Sequence, residues 1–74
     1  MAYQKRNKQS FFRRCRVAVE NLSNSELAND DIDRLLAMVE AAGGVPENLN
    51  RRDVRECAVK AIRMERGERV RRVR

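Results

Sequence analysis

Arginine is the side chain in this sequence with the most chemistry to offer, and its spacing concentrates it. Asn50 to Arg66 reads NRRDVRECAVKAIRMER. At 3.6 residues per turn, Arg52, Arg55, Arg63 and Arg66 fall on one helical stripe with Val59 among them, broken mainly by Glu56. A guanidinium offers five donors in a planar fork that matches phosphate oxygens two at a time. The chemistry open to such a stripe is therefore recognition of a polyanion, with Val59 against a sugar or a thymine methyl. A solvated face laced by Arg52–Glu56 and Glu56–Lys60 pairs accounts for the same spacing, and both readings stay open here. Upstream, Arg13 and Arg16 share one face of an earlier helical pattern. They complete a candidate nucleic-acid-binding set of Arg13, Arg16, Arg52, Arg55, Arg63 and Arg66.

Other chemistry is poorly supplied. The chain has no His, no nucleophile–base set and no glycine-rich phosphate loop, since Gly43–Gly44 reads as a helix stop. An enzyme is not expected, nor is a cofactor. Asp30, Asp31 and Asp33 lack the Gly and distal Glu of a calcium loop and lie where acids favour a helix start, so no metal site is assigned. Cys15 and Cys57 form no CxxC pair. Both fall on apolar stripes, which predicts buried free thiols in a reducing cytoplasmic setting. No stretch has the length and apolarity of a membrane span or signal segment.

The elements that must hold the arginines follow from periodicity. Met1 to Gln9 is polar, basic and aperiodic, and is expected to be a flexible arm. From Ser10 a first helix runs to about Leu22, with Phe11, Phe12, Cys15, Ala18, Val19 and Leu22 inward and Val17 left outside. Its basic start opposes the helix dipole, which invites an anion or an acidic partner. Ser23 and Glu26 match a capping box, enough for a helical turn over Asn24–Ala28. A second helix covers about 30–42, with Ile32, Leu35, Leu36 and Val39 inward, and ends at Gly43–Gly44. Pro46 cannot continue it, and Val45 and Leu49 are expected to fold over the base of the core. The third helix, 50–66, is capped by Asn50 and buries Val54, Ala58, Ala61 and Ile62. Gly67 is a weak stop, so residues 67–74 either fray as a basic tail or continue the helix through Glu65–Arg69 and Glu68–Arg72 pairs.

The expected fold is all-α: a small three-helix bundle over 10–66, with a flexible basic arm at 1–9 and a basic tail at 67–74. Its 74 residues allow only a small core, and a homodimer through Met38 or Val17 is expected to supplement it. Charge is segregated. Residues 1–19 carry six bases and no acid, residues 20–49 seven acids and one base, and residues 50–74 ten bases and four acids. The blocks net +6, −6 and +6. This pattern favours a small basic nucleic-acid-binding protein, regulatory or accessory, that grips DNA or RNA phosphates through the third helix. The connection Gly43 to Leu49 is longer than the three- or four-residue turn of a helix-turn-helix, so that geometry is not assigned. The alternative is a small adaptor or inhibitor, of the kind phages and plasmids encode, that binds a host protein through its charged faces.

Overall fold

A computed structural model describes the backbone of residues 2–45 and 49–72, and side chains from Lys8 onward within those segments. The described residues form four helices: α1 (Ala2–Val19), α2 (Asn24–Ala28), α3 (Ile32–Gly43) and α4 (Arg51–Arg72). The all-α expectation holds. The three-helix count does not, because the capping box at Ser23 closes a helix of its own. Glu26 N–H donates to Ser23 Oγ at 3.2 Å and Ser23 N–H returns to Glu26 Oε1 at 2.8 Å. The hydrogen bonds from Ser23, backbone first, hold the Glu26 carboxyl below its ordinary value, with Arg34 a smaller influence.

The N-terminal end departs from expectation, while the C-terminal end takes the second of its two expected courses, continuing the helix. The segment expected to be a flexible arm lies in α1, whose helix begins at Ala2. Its Ala, Gln, Lys and Arg residues are good helix formers, and no Gly or Pro interrupts them. It is also anchored: Lys8 Nζ lies 3.3 Å from Glu56 and 3.6 Å from Asp53 on α4. With α1 beginning at Ala2, the start expected at Ser10 is helix interior, and its basic turn no longer opposes a helix N-terminus. At the other end α4 passes through Gly67 to Arg72. Gly in a helix interior costs about 1 kcal/mol relative to Ala. Against this stand Glu65–Arg69 at 3.1 Å, Glu68–Arg72 at 3.5 Å and the tertiary contacts of Arg69. The Pro46 stop, the final residues of the basic tail and the side chains of Lys5 and Arg6 lie outside the described residues.

Local signals set the remaining boundaries. Asp31 caps α3, its carboxylate accepting from Arg34 N–H at 3.2 Å. Asp30 takes a left-handed φ of 52° to make the turn, so α3 starts after it rather than at it. Gly44, at φ 81°, ends α3 and donates to Glu40 and Val39 carbonyls. Asn50 Oδ1 accepts from Asp53 N–H at 2.8 Å at the head of α4.

Side-chain links fix the topology. Lys8 meets Asp53 and Glu56, while Arg16 meets Glu68 and Arg69 reaches Val19, so α1 and α4 run parallel. Arg14 of α1 touches the end of α3, which ties α3 to the middle of α1. The core is Phe11, Cys15, Val19, Leu22, Leu27, Ile32, Leu35, Val39, Cys57, Ala58, Ala61 and Ile62. Small Ala58 and Ala61, both fully buried, let α4 approach closely. Four residues expected inside, Phe12, Ala18, Leu36 and Val54, are only half-buried at the edges. Leu27 was missed and is buried. With Leu22 it occupies the two positions of a hydrophobic staple around the Ser23 cap.

Candidate nucleic-acid interface

The outward face of α4 is built by the same periodicity that builds its core face. With Cys57, Ala58, Ala61, Ile62 and Glu65 turned inward, Arg52, Arg55, Val59, Lys60 and Arg63 are left on the other side. These five, with Glu56 and Met64, line a shallow open depression along the helix. Among the described residues, Arg52, Arg55 and Arg63 enter no ion pair and no side-chain hydrogen bond. Glu56, the acid interrupting the stripe, pairs with Lys8 rather than with Arg52 or Lys60. The bond to Glu56 raises the Lys8 pKa above its ordinary value, so this compensating charge is held firmly protonated. Lys60 lies 5.4 Å from the Phe12 ring centroid, a cation–π contact that steadies its position at the edge of the depression. The face is therefore strongly positive and open to solvent, with half-buried Val59 at its middle.

The structure divides the six candidate arginines. Arg52, Arg55 and Arg63 are brought together. Arg13 is exposed on a different surface, beside the furrow between α1 and α3. Arg16 is turned inward, 2.6 Å from Glu68 and 3.4 Å from the Ala61 carbonyl. Arg66 reaches the Leu27 carbonyl and Asp30. Lys60 belongs to the face and was not among the sequence candidates. Its position one turn from Glu56 and Arg63 was the available signal.

Arg14, Arg66 and Arg69 share one task. Arg14 donates to the Gly43 and Gly44 carbonyls at 3.3 and 3.0 Å, at the end of α3. Arg66 donates at the end of α2. Arg69 donates to Val19 and Glu20 carbonyls at 3.1 and 3.4 Å, at the end of α1, and to Asn24 Oδ1 at 2.8 Å. Each of these helix C-termini thus receives a guanidinium from another helix, where carbonyls lack intrahelical donors and the dipole favours a cation. Arg69 also meets Glu65, which is 1 % exposed, and Arg72 approaches the same carboxylate at 3.7 Å. Glu65 falls on the apolar stripe, one turn beyond Ala61, which is why the helix turns it inward.

Neither cysteine belongs to the interface. Cys15 and Cys57 are buried, free thiols. Burial pushes the Cys15 thiol up to about 12 and raises Cys57 as well, and Cys57 Sγ faces the Lys8 carbonyl at 3.8 Å. Protonated, buried thiols are weak nucleophiles and weak ligands. Among the described residues no group of His, Cys, Asp or Glu could hold a metal ion. No helix among them is long and apolar enough to cross a membrane. Comparison with protein-family models, with curated proteins and with solved structures finds no match.

Proposed function

We propose that this chain is a small nucleic-acid-binding protein that grips the phosphate backbone with the outward face of α4. The observation that carries the reading is a division of labour. Arg14, Arg16, Arg66 and Arg69 are spent on carbonyls and carboxylates of the fold, while Arg52, Arg55 and Arg63 stand exposed on one face and, among the described residues, enter no ion pair. Over the eleven steps from Arg52 to Arg63 the helix advances about 16 Å, enough to reach several phosphates. Lys60 joins them, and Val59 supplies an apolar contact for sugar or base. This is a binding protein rather than a catalyst, acting in the reducing cytoplasm where two free thiols persist.

Titration of a labelled duplex and a labelled RNA across a salt series tests the proposal. Log affinity should fall linearly with log salt, with a slope of about −0.9 per phosphate neutralised on duplex DNA. Arg55→Ala combined with Arg63→Ala should weaken binding and flatten that slope by about two units, with helicity unchanged. Asp33→Asn, on α3, should leave it intact. Parent-like binding by the double variant would reduce the stripe to a solvated face. A complex with one cellular protein that survives nuclease treatment, without binding to naked nucleic acid, would favour the adaptor reading instead.

A further inference from the structure

We infer that the outward stripe of α1, Arg13–Val17–Glu20, is a self-complementary surface that pairs two copies of this chain antiparallel about Val17. Val17 is 65 % exposed, an apolar side chain left on the outer face of α1. It is flanked one turn upstream by Arg13 and about one turn downstream by Glu20, just past the end of α1. The backbone tightens there into a 3₁₀-type turn, Asn21 N–H donating to the Ala18 carbonyl at 3.0 Å, in which residues three apart lie on one side. Both charged residues are exposed, and among the described residues neither is ion-paired.

The spacing selects the occupant. In an antiparallel pair of α1 helices related by a two-fold axis, a residue meets the one lying equally far on the other side of the axis. Arg13 and Glu20 are centred half a residue from Val17. An axis there sets Val17 against Val17 of the second copy and Arg13 against its Glu20, twice. Opposite charges meet in both pairs and like charges in neither. Beside the stripe, the furrow between α1 and α3 adds Ala18, Met38 and Ala42 as apolar surface for the second helix. A partner of one charge sign would leave either Arg13 or Glu20 opposed by its own kind, whereas a second copy satisfies both. No residue of the outward face of α4 takes part, so the inference stands apart from the nucleic-acid reading and assigns Arg13 to association instead of phosphate.

Sedimentation of the nucleic-acid-free chain, from low to high micromolar concentration, tests it. The parent should show a species of twice the chain mass. Arg13→Glu alone and Glu20→Arg alone each set like charges opposite one another and should weaken the dimer about tenfold or more. The double variant Arg13→Glu/Glu20→Arg restores the pairing with its sense reversed and should dimerise like the parent. Circular dichroism of each variant should match the parent, since all the changes are exposed. A parent that stays monomeric at every concentration overturns the proposal, as does a dimer insensitive to both single reversals or a double variant that fails to recover.

Discussion

The guanidinium of Arg69 touches the Glu65 carboxylate, the amide of Asn24 and two carbonyls at the end of α1, while that of Arg55, among the described residues, enters no ion pair and no side-chain hydrogen bond. The two residues are chemically identical and energetically far apart. Removing one partner of a buried, hydrogen-bonded charge typically costs roughly 3–5 kcal/mol, because the other is left in a poor dielectric. Arg69→Ala should approach that loss, tempered by Arg72, whereas Arg55→Ala should fall within about 0.5 kcal/mol of the parent. Urea unfolding of the two variants measures the gap; equal midpoints would show that Glu65 finds its compensation elsewhere. The thiols divide by environment in the same way. Cys15 and Cys57 should label slowly in the folded chain and quickly in denaturant, as buried protonated thiols do.

Two glycines make opposite demands on their helices. Gly67 lies inside α4, and a Cβ built there would meet nothing within 4 Å. Gly67→Ala should therefore stabilise the chain by about 0.5–1 kcal/mol, through helix propensity and a less flexible unfolded state. Gly44 also has open space around it but sits at φ 81°, where a side chain strains the backbone. Gly44→Ala should destabilise by about 1–2 kcal/mol. Thermal melts of the pair should shift in opposite directions; a shared direction would mean that space rather than backbone conformation governs these sites. Gly67→Ala also bears on the C-terminal stretch of α4, since a firmer helix holds Arg69 more steadily against α1.

At the scale of the whole chain, stability rests on a core of a dozen residues held by three long helices and the α2 turn. Leu35→Ala, at a fully buried position, should cost about 2–5 kcal/mol, enough to populate the unfolded state of a domain this small. Retention of the parent melting curve would place the core elsewhere. The response to alkali follows from linkage. Cys15 is raised in the folded state from 9.0 to about 12, so the folded chain holds a proton that the unfolded chain gives up. That contribution is complete below pH 9 and is lost as pH climbs toward 12. Lys8, raised above 10.5 by Glu56, acts in the same direction. Midpoints should fall across this window, and Cys15→Ala should flatten the fall; an unchanged slope would assign alkaline unfolding to another group. In acid, Glu26 acts in the opposite sense. Its carboxyl is lowered from 4.5, so its contribution is present above that value and lost as pH falls below it.

Local information along the chain determined the caps and most inward faces. Ser23, Asn50 and Gly44 act within a turn of themselves, so the residue types alone placed them. The candidate Arg52, Arg55 and Arg63 face was legible for the same reason, since a helix separates its two sides by periodicity whatever it packs against. Tertiary structure decided which charges were already in use. A sequence cannot show that Lys8 lies over Glu56, that Arg16 turns to Glu68 or that Arg66 and Arg69 end other helices, because each contact joins residues 39 to 52 positions apart. The same contacts made helix of the expected arm and extended α4 through Gly67. Basic ends that look repulsive in isolation become ordered when acids and carbonyls from distant segments lie against them.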